Sequence, residues 1–335
     1  MNIAVVLLNW NGLTYLKQFL PTTIEHSKAA CVYVIDNGST DDSVAYLKQV
    51  NGIQLIELDK NYGFAGGYNL GLRQIDAEIY CLMNTDVKVN KDWISPFWEK
   101  FNQNPNLAIA QPHLLDFNKP DSFEYAGAAG GYLDMLGYAF CRGRLFECTE
   151  KDTGQYDQTA VVHWASGACF FIRKSIFDEL GGFDPSFFAH QEEIDLCWRA
   201  RNMGYEIQSI SQVKVWHVGG GTLAPSPLKT YLNYRNSLAL LTKNLPSTSL
   251  MPKLLFRLVL DGLAGFRFIL KGKWSHTGAI LKAHFHFYYR FFTYWRARKE
   301  IGPNTHNYNF SVIYSYFIKK IKKFSDLPLD SRINL

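Results

Sequence analysis

Residues 31–43 read CVYVIDNGSTDDS, and the order of those letters decides the fold. Cys31–Ile35 is an apolar, β-branched run, as expected of a strand buried on both faces. It stops at Asp36-Asn37-Gly38, residue types that turn a chain. Ser39, Thr40 or Asp41 then caps a helix expected to run to Val50. Buried strand, polar turn and helix in that order make half of a parallel crossover unit.

The same order recurs on both sides. Ile3–Leu8 is an apolar run, Asn9-Trp10-Asn11-Gly12 turns out of it, and Leu13–His26 has helical periodicity. Ile53–Leu58 leads into NYGFAGGYN (61–69), which opens another helix. Ile79–Met83 ends in Asn84-Thr85-Asp86. A helix over Asp92–Asn102 and a strand over Ala108–Gln111 continue the alternation. Such a chain predicts an α/β fold, a mostly parallel sheet flanked by helices, with ligands beyond the carboxyl ends of the strands. Each polar cluster alone is ordinary turn chemistry. Four of them on one sheet edge suggest a binding site.

From Pro120 to Gln158 the periodicity loosens into a glycine- and aromatic-rich insertion that can cover a site. VVHWASGACFFI (161–172) then predicts one strand. GGFDPSFFAHQEEIDLCWR (181–199) follows. Gly181-Gly182 ends a helix, and Phe183, Phe187 and Phe188 are expected to bury. A helix from Gln191 to Met203 turns Ile194, Leu196 and Cys197 inward and Arg199 and Arg201 outward. Glu192 and Glu193 sit at its first turn, where the helix dipole favours carboxylates and where aromatic neighbours raise a carboxylate toward a working base. Glu206–Val215 predicts a last strand, ending in Trp216-His217 and the glycines 219–221.

Charge is unevenly distributed. Residues 1–249 carry a net −6 and residues 250–335 a net +11, within an overall +5. The basic part is crowded with aromatics, over Leu250–Lys271 and Lys282–Arg298, and ends in Lys319, Lys320, Lys322 and Lys323. It reads either as a membrane-interface element drawn to anionic lipid or as a helical subdomain packed on the body. Clustering of its aromatics with aliphatics argues against nucleic acid. The six cysteines show no metal spacing and read as free thiols, which suits a cytoplasmic, membrane-peripheral location. The first residues lack the basic start of a signal peptide, and no run is apolar enough to span a bilayer.

The strand-end residues suggest a nucleotide site. Trp10 offers a ring for stacking on a base, and Asp36 and Asn37 offer acceptor and amide groups for its edge. Asn61 and the Gly66-Gly67 helix entrance suit ribose or phosphate. Asp86 suits a hard divalent cation shared with a diphosphate, with His217 a second ligand. Neither GxGxxG nor GxxxxGK[ST] occurs, which weakens dinucleotide and P-loop functions.

The motifs VVLLNWNG (5–12), VIDNGSTDDS (34–43), NYGFAGGYN (61–69), MNTDV (83–87), SGACFFIRKSIFDELGGFDPSFF (166–188), EEIDLCWR (192–199), WHVGGGT (216–222) and YRN (234–236) resemble, in order, the family 2 glycosyltransferases. Within them the chain is similar to the rhamnosyltransferase-like branch of bacterial cell-surface polysaccharide synthesis. The resemblance implies a GT-A fold over residues 1–240, with residues 241–335 a helical basic extension similar to tails of members that act at membranes. It implies an inverting, Mg²⁺- or Mn²⁺-dependent transfer from a nucleotide diphosphate sugar, dTDP-rhamnose or a UDP-sugar favoured, to a glycan or polyprenyl-linked hydroxyl. Asn84, Thr85 and Asp86 fall at the family's DxD-type motif, with Asn84 replacing the first Asp. Asp86 and His217 would then ligate the metal. Trp10, Asp36, Asn37, Asn61, Gly66, Asn69, Asn84 and Asp86 would hold the donor. Glu193 falls at the base position, with Glu192 beside it. A degenerate sugar- or lipid-binding scaffold and a nucleotidyltransferase are the alternatives.

Overall fold

A computed structural model describes residues 2–219, 226–298 and 308–329. In chain order the strands are β1 (Ile3–Asn9), β2 (Cys31–Asp36), β3 (Gln54–Glu57), β4 (Ile79–Asn84), β5 (Val87–Lys88), β6 (Leu107–Asp116), β7 (Gly131–Leu133), β8 (Ala139–Cys141), β9 (Arg144–Leu145), β10 (Cys148–Thr149), β11 (Ala160–Val161), β12 (Cys169–Arg173) and β13 (Glu206–His217). The α-helices are α1 (Leu13–His26), α2 (Ser43–Leu47), α3 (Gly63–Leu72), α4 (Ser95–Gln103), α5 (Lys174–Leu180), α6 (Glu192–Asn202), α7 (Pro227–Asn244), α8 (Ser247–Leu270) and α9 (Trp274–Arg296).

The main sheet runs β11-β13-β6-β12-β4-β1-β2-β3, with β5 added on β13. β4, β1, β2 and β3 are parallel, as the crossover pattern predicts. Register matters here. Asn9 lies opposite Asp36, Leu8 opposite Asn84 and Asp36 opposite Glu57, so the strand-end turns emerge level on one edge. β1 alternates strictly. Ile3, Val5 and Leu7 face one apolar layer with α1 and α4, while Ala4 and Val6 face the other with α3 and α5.

Several expectations need correction. The run 161–172 is two strands, not one. Ser166 donates its backbone N–H to the Gln111 amide oxygen (2.9 Å), so the chain leaves β11 and re-enters as β12, antiparallel to β4 and β6. No side chain caps α2. Asp41 instead accepts from the backbone of Ser43 and Leu13, and α2 stops at Leu47. Arg199 does not face solvent. It folds back on Asp195 (2.8 Å) and on the carbonyls of Leu180 and Gly182. Burial lowers the Arg201 pKa to about 10. Phe188 is 45% exposed because its backbone turns at φ 64°.

The insertion forms a second antiparallel sheet, β10-β9-β8-β7. Part of the basic tail closes over it. Tyr308 donates to the Leu133 carbonyl (3.0 Å), Met135 donates to the Phe310 carbonyl (3.1 Å), and Tyr132 and Phe140 pack their rings on Tyr308 and Phe324. Residues 308–329 are therefore packed on the body, with Lys319, Lys320, Lys322 and Lys323 left exposed. α7 packs against α6 and α9, and α8 against α9. Among the described residues, no helix is long and apolar enough to cross a membrane.

Candidate active site

Side-chain hydrogen bonds stitch the sheet edge together. Asp36 accepts from Asn9 (2.8 Å) and from both the backbone and hydroxyl of Ser39 (2.9 and 2.7 Å). Asn11, at φ 53°, accepts from Thr40 across the same gap (2.7 Å). Trp10 projects between these loops, 50% exposed. Asn37 is buried. Its oxygen accepts from the Tyr62 backbone, and its amide donates to Asn61 and to the Gly63 carbonyl. A Cβ on Gly67 would lie 2.9 Å from that amide, so glycine lets α3 approach the sheet. A Cβ on Gly66 would come within 3.0 Å of Tyr62. Asn69 makes a two-way pair with the Phe183 backbone (2.8 and 3.0 Å). The hydrogen bonds of Asn37, Asn61 and Asn69 thus brace the edge, whereas Trp10 stands open beside it.

The acidic helix enters on a strained loop. Phe188, His190 and Gln191 all have positive φ, between 64° and 72°, a region that L-residues adopt only when held. Arg235 and Asn236 on α7 hold it. Arg235 donates to the carbonyls of Ser186 and Phe187, and Asn236 to those of Phe187, Ala189 and His190. This accounts for the YRN motif, whose role the sequence did not reveal. Gln191 then hands over to α6, with Glu192, Glu193 and Asp195 in the first turn.

Those three acids have three environments. Asp195 is fully buried. Lys243 (2.9 Å), Arg199 (2.8 Å) and Asn244 (2.9 Å) surround it. Burial pushes its pKa up, but the charges of Lys243 and Arg199 outweigh that and hold it at about 2. Glu192 is 4% exposed, and one of its oxygens lacks a partner. Burial and the adjacent Glu193 charge push it well above the usual carboxylate range. Glu193 is half-buried beside Gly167 and Phe64. A Cβ on Gly167 would meet its side chain at 3.8 Å and the Phe64 ring at 3.5 Å. Burial raises Glu193 to about 7, against backbone hydrogen bonds that lower it. A half-buried carboxyl raised to near neutrality has the properties of a general base.

Asp86 follows β4, and the β5–β13 pairing brings His217 to it. The imidazole Nε2 lies 3.1 Å from the Asp86 carboxylate and 3.4 Å from the Asn84 amide. Its Nδ1 is 3.4 Å from Glu124. Burial pulls the His217 pKa down, but the Asp86 and Glu124 carboxylates outweigh this and raise it to about 10. Among the described residues, no three metal-type side chains converge as a closed site. One carboxylate and one imidazole in contact still suit a hard divalent cation whose remaining ligands come from a diphosphate. Gly219 has φ 70°, and the rest of the predicted glycine run, Gly220 and Gly221, lies outside the described residues. Glu124 escaped the sequence analysis because it lies in the insertion, where no periodicity or motif marks it.

Comparisons with known proteins bear on the family and the fold. The family model described as Glycosyl transferase family 2 matches residues 4–181. The N-acetylglucosaminyl-diphospho-decaprenol L-rhamnosyltransferase of Mycobacterium tuberculosis is 24% identical over 235 residues, covering 64% of this chain and 75% of that one. The dTDP-rhamnosyl transferase RfbF of Shigella flexneri is 25% identical over 256 residues, covering 72% and 81%. Among solved structures, the mannosyltransferase PcManGT from Pyrobaculum calidifontis, in complex with GDP-Man and Mn²⁺, superimposes with a TM-score of 0.52 at 12% identity, covering 86% of this chain and 87% of that one. That likeness shows the GT-A fold.

Proposed function

The chain belongs to glycosyl transferase family 2, and from that premise we propose an inverting transfer of a sugar from a nucleotide diphosphate sugar to a hydroxyl of a glycan or polyprenyl-linked acceptor. The observation that carries the proposal is Glu193, a half-buried carboxyl titrating near 7 at the head of α6, on the same sheet edge as Trp10, Asp36 and Asp86. The donor base stacks on Trp10, above the loops that Asp36 and Asn37 brace. Gly66 and Asn84 line the approach of sugar and phosphate, and Asn61 and Asn69 brace it through their hydrogen bonds. Asp86 and His217 would hold Mg²⁺ or Mn²⁺. Such a cation supplies positive charge to the leaving diphosphate. Glu193 takes the proton of the acceptor hydroxyl, whose oxygen attacks the anomeric carbon on the face opposite the diphosphate. The glycosidic bond forms as the carbon–diphosphate bond breaks, and configuration inverts. Glu192, one residue earlier, is pushed well above the usual carboxylate range by burial and by the adjacent Glu193 charge.

Relatives that use dTDP-rhamnose and diphospho-decaprenol support a dTDP-rhamnose donor and a lipid-linked acceptor in polysaccharide synthesis. The test is product analysis with dTDP-rhamnose, UDP-sugars and GDP-sugars, each with Mn²⁺, on N-acetylglucosaminyl-diphospho-polyprenol. An α-configured product from a β-donor, or the reverse, supports inversion. Retained configuration, or no turnover with any donor on folded protein, sinks the proposal and favours the scaffold alternative.

A membrane partner for residues 241–335, with residues 1–240 as the catalytic part, rests on a separate observation. α8 is inverted. Arg257 and Asp261 point inward, while Leu255, Phe256, Val259, Leu263, Phe266 and Leu270 are exposed. Between Ser247 and Arg298 the one acid is that buried Asp261, against nine Lys and Arg. An apolar face with cations around it and no exposed acid suits an anionic bilayer surface on the cytoplasmic side. Co-sedimentation with vesicles containing anionic lipid tests it. Equal recovery with neutral vesicles or none removes the membrane from the proposal.

A further inference from the structure

Glu124 is a buried acid with no place in the mechanism above, yet every contact aims it at His217. Its backbone N–H donates to the Leu114 carbonyl (2.9 Å), extending the end of β6. One carboxylate oxygen is fixed by the Ala126 backbone N–H at 2.6 Å, and the other lies 3.4 Å from His217 Nδ1. The far side of the same ring meets Asp86 at 3.1 Å. Gly219 keeps this contact clear. A Cβ there would stand 3.0 Å from the Glu124 oxygen and 3.8 Å from Nδ1. The imidazole is 5% exposed, and its Nδ1 is buried without a hydrogen bond, so the 3.4 Å approach of Glu124 is an ion-pair contact that a small ring rotation would tighten.

We infer that Glu124 is a positioning residue that holds the Nδ1 proton of His217, so that the proton displaced when a divalent cation binds beside Asp86 is the one on Nε2. The inference rests on the metal-holding role proposed for Asp86 and His217. The chemistry is general. A carboxylate behind a metal-binding imidazole fixes its tautomer and ring angle, and removing it weakens metal binding about 10–100-fold. Glu124 touches neither substrate nor cation here; it acts through the ring.

The arrangement makes an unusual prediction for the isosteric variant Glu124→Gln. Its amide oxygen takes the place facing the Ala126 N–H, which leaves the NH₂ group facing Nδ1. A donor there moves the imidazole proton to Nε2 and removes the ligand. Packing volume is unchanged, so a purely structural role would be satisfied by glutamine.

The experiment is Mn²⁺ binding by electron paramagnetic resonance on the full chain, with Mn²⁺ alone and with dTDP, UDP or GDP. Electron spin echo spectra report a directly bound imidazole nitrogen. Wild type is expected to bind Mn²⁺ with nucleoside diphosphate and to show the ¹⁴N signal. Glu124→Gln is expected to bind about 10–100-fold more weakly and to lose that signal, with an unchanged melting curve. Gly219→Ala, which crowds the carboxylate, is expected to shift binding in the same direction. Equal Mn²⁺ affinity and an intact ¹⁴N signal in Glu124→Gln would overturn the role of Glu124 while leaving the metal site standing. No bound Mn²⁺, or bound Mn²⁺ without ¹⁴N signal, in wild type would overturn the metal-holding role of His217 itself.

Discussion

α6 and α8 both bury charge against the body, and their outer faces differ. On α6 the apolar side chains, Ile194, Leu196, Cys197 and Trp198, are buried with Asp195, and what opens outward at the head is one carboxyl, Glu193. On α8 the inward face carries Leu250, Arg257 and Asp261, and the open face is apolar over most of its length. Asp261 is satisfied by Arg257 (3.8 Å) and His284 (3.1 Å), and Arg257 also lies 3.8 Å over the Tyr138 ring. A buried ion pair is weak evidence of stability and often fixes an orientation instead. In α6 the pairs around Asp195 anchor the turn that carries Glu193. In α8 they turn a helix so that its greasy side faces out.

Five substitutions test that contrast. The largest effect is expected at the open end of α6. Glu193→Gln should lower turnover about 10²–10⁴-fold while nucleotide binding, read by thermal shift, stays. In the wild type the rate should fall as pH drops through about 7, because Glu193 must be ionised to take a proton. Undiminished turnover in Glu193→Gln would erase the difference between the two helices. Next comes the buried end. Lys243→Met leaves Asp195 with only one of its two cations and should cost about 3–5 kcal/mol by denaturant melting. Asp195 also sets an acid limit. Its pKa is depressed to about 2, below the unfolded value near 3.9, so its stabilisation is complete above about pH 4 and is lost as pH falls toward 2.

The outer face of α8 should respond in the opposite sense. Leu255→Ser and Phe256→Ser should each weaken binding to anionic vesicles about tenfold, with melting temperature unchanged or raised. A fall in stability would mean that these side chains are covered by protein. The smallest effect belongs to the nucleotide edge. Trp10→Ala should weaken nucleoside diphosphate binding by about 1 kcal/mol, measured calorimetrically, since alanine offers no ring face for the base to stack on.

How much of this the sequence displayed depends on distance along the chain. The parallel strands and their level polar turns were legible because each unit is local: an apolar run, a turn and a helix. The three acids of α6 were legible for the same reason. Their different fates were not, because Lys243, Arg235 and Asn236 approach from α7, more than forty residues downstream. β12 runs against its neighbours, and apolar letters carry no direction. Glu124 lies in an insertion without period. The inversion of α8 was hidden because periodicity places apolar residues on one face but does not say that the face is outside.

The closure of residues 308–329 over the small sheet also has a consequence in time. Phe140 is covered by Tyr308, Phe310 and Phe324, so its shelter is made long after it leaves the ribosome. At about 5–20 residues per second, that side of the molecule waits about ten seconds or longer for its cover. The strands β1 to β4, which carry the proposed nucleotide edge, are all made within the first hundred residues. A nascent chain not yet extended to residue 308 would therefore carry Phe140 without these three rings over it.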